Sequence, residues 1–192
     1  LAGAQISDIS PISGLTNLQY LSFAGAQISD ITPVANLTDL TILEFSYNPI
    51  SDISPISGLT NLQEFHITSA QISDITPVAN LTDLAALDFS YNQISVIASV
   101  VNLTNLTYLQ LNNNQINDVT PISGLTNMVD LKLYNNLISD IYPLVENMGL
   151  GNADLLWLDP NPISEEALAV HIPILEARNF SDLMYPETFT PQ

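Results

Sequence analysis

With 46% hydrophobic and 11% charged residues in 192, the chain has enough apolar material to pack and too much to stay disordered. Twenty acidic side chains against only Lys132 and Arg178 give a formal net charge of −18. That balance argues against nucleic acid, whose phosphates need clustered Lys and Arg, and against an anionic membrane surface. A sequence without cysteine has no disulfide framework, thiol nucleophile or cysteine-ligated zinc, and no apolar run is long enough to span a bilayer.

The chain begins inside a repeat. Leu1-Ala2-Gly3-Ala4 aligns with Phe23-Ala24-Gly25-Ala26, so a region carrying any targeting signal is expected upstream. Full 22-residue units then start at Asn17, Asp39, Asn61, Asp83, Asn105 and Asn127, uninterrupted until residue 146. Their frame is clearest at 84–92, LAALDFSYN, which returns as LTILEFSYN at 40–48 and LTYLQLNNN at 106–114. Apolar residues at the first, fourth and sixth positions do not make one face of a long helix, and self-similarity at a fixed period of this size means a solenoid. Residues 26–40 recur identically as 70–84, and 9–19 as 53–63, so the copied unit was a pair of repeats.

Each unit separates into three stretches. Around Tyr20-Leu21-Ser22-Phe23-Ala24 apolar positions alternate with polar or variable ones, the pattern of a half-buried strand, and such strands stack in parallel. A position held by Asn48, Asn92, Asn114, Asn136 and Asn161 follows, where an amide can bond the backbone of its own turn and of the neighbouring rung. Ala4, Ala26 and Ala70 lack that amide, so water or a backbone shift is expected to compensate there, at some loss of stability. The third stretch ends in Ser or Thr before Pro, as in Ser10-Pro11, Thr32-Pro33 and Thr120-Pro121. It reads as a capping hydroxyl with Pro at the first position of a short 3₁₀ turn. Strands inside and compact turns outside make the stack curve, and strand spacing gives about eight rungs a length of very roughly 35–40 Å.

The composite frame Leu-x-x-Leu-x-Leu-x-x-Asn-x-Ile-x-Asp-Ile-x-Pro-Ile-x-x-Leu-Thr-Asn resembles the 22-residue leucine-rich repeat of the bacterial internalin family, and residues 105–126 match it nearly position by position. The resemblance covers residues 1 to about 147. It implies an α/β solenoid: a curved horseshoe with a concave parallel β-sheet and short 3₁₀ turns on the convex side. It also implies a non-enzymatic role in binding other proteins, often as a secreted or surface-attached adhesin.

The frame breaks at 93–101, where Val96 replaces the repeated Asp and Ser99 the Pro, leaving Val96 and Val101 facing outward. After Leu144 the register shifts, and the interval from Asn136 to Asn161 is longer than one unit. Residues 1–150 are therefore read as leucine-rich repeats, about seven units with the first incomplete, and 151–192 as the last rung, at 155–159, with a C-terminal cap. Ser164 is expected to cap a helix whose apolar stripe is Leu168, Ile172 and Leu175, and Pro173 should kink or end it.

Outward strand positions build three rows on the concave face. One runs Tyr20, Ile42, Glu64, Ala86, Tyr108, Asp130, Leu155, and the next Ser22, Glu44, His66, Asp88, Gln110, Lys132, Trp157. The third runs Ala24, Ser46, Thr68, Ser90, Asn112, Tyr134, Asp159. Aromatics interleaved with acceptors and donors suit protein binding. The candidate partner-binding residues are Tyr20, Glu44, Glu64, His66, Asp88, Tyr108, Gln110, Asp130, Lys132, Tyr134 and Trp157, with Tyr108, Tyr134 and Trp157 as anchors. The acidic bias points to a protein partner with a basic patch; a glycan or cell-wall ligand and a purely structural spacer are the rival readings. Glu44, Glu64, His66 and Asp88 could form an acid–base or metal site, but an open curved sheet lacks the enclosed pocket that catalysis needs, so no enzyme and no catalytic or metal-binding residue is expected. Asp8, Asp30, Asp52, Asp74, Asp118 and Asp140 form a stacked acidic line, read as turn caps with Ca²⁺ binding as the alternative; no other cofactor is implied. The expected location is extracellular or at the cell surface.

Overall fold

The computed structural model describes residues 6–151 and 154–186; the alignment of residues 1–4 and the Ala4 position fall outside them. Eight three-residue strands form one parallel sheet in sequence order. They are β1 Tyr20–Ser22, β2 Ile42–Glu44, β3 Glu64–His66, β4 Ala86–Asp88, β5 Tyr108–Gln110, β6 Asp130–Lys132, β7 Leu155–Trp157 and β8 Asp182–Met184. Register is constant from rung to rung: Tyr20 lies beside Ile42, Ile42 beside Glu64, and so on to Asp130 beside Leu155. Each of β1 to β7 carries one buried residue between two outward ones, with Asp130 the exception taken up below.

The core is the stack of inward positions. From the unit that starts at Asn17 into the next, Ile28, Ile31, Val34, Leu37 and Leu40 are all closed to solvent, and the same columns continue into one contiguous cluster reaching Leu175. Each such side chain contributes about 1.5–3 kcal/mol on burial, and the ring pairs Phe23–Phe45 and Phe65–Phe89 fill the strand-end column at centroid distances of 6.2 and 5.5 Å. On the outer side 3₁₀ turns occupy Ser10–Ile12, Thr32–Val34, Ser54–Gly58, Thr76–Val78, Ala98–Val100 and Thr120–Ile122. Their place in the seventh rung is taken by a short α-helix, α1, Tyr142–Glu146. The result is an open curved solenoid.

Of the two caps expected in each turn, one fails and one forms. The Ser or Thr before Pro is the first residue of the 3₁₀ turn and its hydroxyl makes no cap bond to the turn. The cap comes from the repeated Asp two residues earlier: Asp30 Oδ1 accepts the Thr32 N–H at 2.8 Å, and Asp8, Asp52, Asp74, Asp118 and Asp140 do the same. A carboxylate on its short stem reaches the amide two residues on without bending the chain, so this Asp satisfies a donor that the turn leaves open. Hydrogen bonds from the Ser or Thr two residues on, first from its hydroxyl and then from its backbone N–H, hold the Asp8, Asp30, Asp74 and Asp118 carboxyls below the ordinary carboxylate value.

The asparagine ladder forms as expected. Asn114 Oδ1 accepts the Ile94 N–H, and its Nδ2 donates to Phe89 O and Leu111 O, one carbonyl in the previous rung and one in its own. Where Ala70 stands instead, the Ile50 N–H turns back to the Asn48 carbonyl at 2.8 Å. This is the expected backbone compensation.

The C-terminal region holds the larger departures. Leu155–Trp157 is not the last strand: β8 pairs in parallel beyond it, Trp157 lying beside Met184. Ser164 Oγ does accept the Ala167 N–H, and Ile172 and Leu175 are buried. Pro173 neither ends nor breaks the helix, because a π-helical turn, Ala167–His171, precedes α2, Ile172–Glu176, and its wider hydrogen-bond spacing takes up the missing donor. Arg178 then ties the cap down by donating to the carbonyls of Leu144, Val145 and Asn147 at the end of α1. Gly149 lies so close to the preceding rung that a Cβ would sit 1.9 Å from Thr126 O.

Candidate partner-binding face

The strand register brings the first two sequence rows together as continuous lines across the sheet. Tyr20 and Tyr108 stand 59% and 47% exposed in the first, and Glu44, His66, Asp88, Gln110, Lys132 and Trp157 are half-buried in the second. The third row behaves differently. Ser46, Ser90 and Asn112 are buried: Ser46 Oγ accepts the Thr68 N–H, and Ser90 Oγ donates to Asn112 Oδ1. Their short side chains satisfy the ends of the strands, so of this row Tyr134 and Asp159 reach outward together with the small Ala24 and Thr68.

At the C-terminal end of the face an aromatic cluster assembles from three strands. The Trp157 indole N–H donates to Asp182 Oδ2 at 2.9 Å, the Lys132 ammonium lies 4.8 Å from the Trp157 ring centroid, and Tyr134 packs on Trp157 at 6.1 Å. Lys132 also pairs with Asp130 at 3.6 Å. Asp130 is only 7% exposed, and one of its oxygens has no hydrogen-bond partner among the described residues. It thus holds Lys132 rather than presenting its own charge. Burial, then the neighbouring Tyr91 and Asp88, push the Tyr134 hydroxyl above its ordinary value, so it stays a neutral donor at any physiological pH.

The N-terminal half of the face is acidic. Glu44 and Asp88 each accept the backbone N–H two residues on, from Ser46 and Ser90, which fixes their carboxylates at the strand ends. Between them His66 Nε2 approaches Glu64 Oε2 at 3.5 Å. His66, Asp88, Tyr108 and Gln110 line a shallow hollow of about 120 Å³ floored by Ala86 and Leu87. Among the described residues no three His, Asp or Glu side chains come together as a metal-binding group.

The family described as leucine-rich repeats, in two copies, matches residues 38–80, 82–124 and 104–146. An internalin from Listeria monocytogenes, InlF, superimposes with a TM-score of 0.87 at 37% identity over 96% of this chain and 54% of its own. Internalin C2 from the same organism gives 0.82 at 35% identity, over 96% and 77% of the two chains. The chain belongs to the internalin-like bacterial leucine-rich-repeat family. It spans about half the length of InlF. A leucine-rich-repeat protein from Leptospira interrogans, at 24% identity with a TM-score of 0.80 over 93% and 45% of the two chains, shares the fold. No functionally curated protein matches the chain significantly. In an internalin-like solenoid the concave sheet is the extended surface that repetition creates, the surface on which such proteins commonly engage other proteins. Two residues of this face escaped sequence reasoning, Asp182 and Met184 of β8, because Ser181-Asp182-Leu183-Met184 carries no trace of the 22-residue frame.

Proposed function

We propose that this internalin-like chain is a surface-displayed or secreted module that binds a protein through its concave face. Trp157 and Tyr134 anchor the contact. The observation that carries this reading is their cluster: two large rings, half-exposed, held rigid by Asp182, Lys132 and Asp130 on a face that stays open to solvent. Aromatic side chains fixed in this way lose little entropy on binding and dominate interface energetics. Glu44, Glu64 and Asp88 set the polarity of the other half, which favours a partner presenting basic side chains there, with association weakened by salt.

The test is capture of a partner on immobilised protein, wild type against Trp157→Ala and Tyr134→Ala together, at low and high salt. Loss of the captured protein in the double variant, with the melting transition preserved, supports the reading. Equal capture by both proteins overturns the site, and affinity unchanged by salt overturns its electrostatic half.

A further inference from the structure

The rim where the strands end carries a second surface with different chemistry. Once per unit the backbone there turns left-handed, at Gly25, Tyr47, Ser69, Tyr91, Asn113 and Asn135, with φ between 52° and 68°. Gly and Asn adopt this conformation readily, whereas a bulky aromatic is strained in it. Tyr47 and Tyr91 stay 64% and 52% exposed, and Tyr91 also meets the Tyr134 hydroxyl. Strain kept at two positions whose rings remain mostly open to solvent points to use of the rings themselves.

The rim residues are hydrogen-bonded rung to rung: Tyr47 N–H donates to Thr68 O, Ser69 N–H to Ser90 O and Tyr91 N–H to Asn112 O. The sheet spacing therefore extends to this edge, and the Tyr47 and Tyr91 backbones stand two rungs apart, roughly 9–10 Å. From Ala24 to Ile138 the residues of this strip, 24–28, 46–50, 68–72, 90–94, 112–116 and 134–138, include no charged side chain, although the chain carries twenty acidic groups elsewhere. The exposed polar groups along it are amides, Gln27, Gln71, Gln93, Gln115 and Asn135.

We infer that this rim is a binding site for a neutral, linear β-1,4-linked glycan, with Tyr47 and Tyr91 as stacking platforms and the glutamines as hydrogen-bonding partners for sugar hydroxyls. Two rungs match the disaccharide repeat of an extended β-1,4 chain, which returns the same sugar face at that interval. The strip offers no charge for an ionic peptide to pair with directly, and the surrounding carboxylates repel uronic or sulfated polymers. The site adjoins the concave face, Tyr91 lying beside Tyr134, but its stacking rings are not the anchors named there.

The experiment is calorimetric titration of the chain with the β-1,4 hexasaccharides of glucose and of N-acetylglucosamine, the two arms distinguishing a glucan from an amino-sugar polymer. Tyr47→Asn and Tyr91→Asn install the residue that the fold itself places at Asn113 and Asn135, so both variants fold. The expected result is hexasaccharide binding that is insensitive to salt, weakened about tenfold or more by each variant, lost in the double variant, and retained in Trp157→Ala. Binding of neither hexasaccharide overturns the inference, as does binding that the double variant leaves unchanged. Loss of sugar binding in Trp157→Ala, with the Tyr variants unaffected, would move the site to the concave face.

Discussion

Asn48 and Asn114 make the same three kinds of hydrogen bond, yet their replacement by alanine should have unequal effects. In each, Oδ1 accepts one backbone N–H at 3.0 Å, from Ile28 or Ile94, and Nδ2 donates to two strand-end carbonyls. Around Asn114 both carbonyls have a second amide: Phe89 O also accepts from Asn92, and Leu111 O from Asn136. Around Asn48 the flanking rungs carry Ala26 and Ala70, so Asn48 is the one side-chain amide that Phe23 O and Phe45 O meet among the described residues. The freed N–H has an escape in either case, the turn back to a carbonyl two residues earlier that Ile50 already makes. Asn114→Ala then loses net about 1–2 kcal/mol of hydrogen bonding, whereas Asn48→Ala also leaves two buried carbonyls without a partner, at about 1–3 kcal/mol each. The difference, about 2 kcal/mol or more, corresponds to roughly 4–8 °C in Tm for a chain of this size. Thermal and urea unfolding of the two variants measure it, and hydrogen exchange at the ends of β1 and β2 locates it. Equal losses would refute the idea that each carbonyl draws on two successive amides. A gain in Tm for Ala70→Asn would support it from the opposite direction.

Three further outcomes follow from the turns and the cap. Val96 stands 67% exposed where other units have the capping Asp, so Val96→Asp should bond the Ala98 N–H and raise stability by about 0.5–1 kcal/mol, read as a higher urea midpoint. Arg178→Met removes the donors that hold the cap against the α1 carbonyls; β8 should then exchange its amides and be cut by protease faster, while β2 to β5 keep their protection, and uniform loss along the chain would contradict a local tether. The lowered carboxyls of Asp8, Asp30, Asp74 and Asp118 mean that the unfolded chain binds more protons in acid than the folded one. Their contribution is complete above the ordinary value of 3.8 and disappears as pH falls through the lower folded values. Melting followed from pH 6 to pH 2 should therefore show Tm dropping below about pH 4, with a shallower drop in Asp74→Ala; a flat profile would sink the capping role.

The internalin-like solenoid was legible in the chain because its information is local and repeated. A buried residue between two outward ones, an amide after the strand and an Asp before the turn recur every 22 residues, and with parallel in-register stacking that spacing alone places Tyr108 beside Asp130 and Gln110 beside Lys132. The same rules say which side a residue points to and leave open how far it is covered. Tertiary packing decided that Ser46, Ser90 and Asn112 are used up at the strand ends and that Asp130 is buried against Lys132. Of the two residues read as caps, it also decided that Asp, where present, does the capping and Ser or Thr does not, since both sit in reach by sequence and only geometry chooses between them.

Past residue 146 the repeat no longer constrains the chain, and long-range contacts take over. The docking of Arg178 on α1, the π turn that accommodates Pro173 and the pairing of β8 with β7 each join residues with no periodic relation. A period written into the sequence determines a rung and its neighbours because each rung meets only the next. The covering of the last rung depends on matching one particular exposed edge, and that match exists only once the solenoid beneath it has formed.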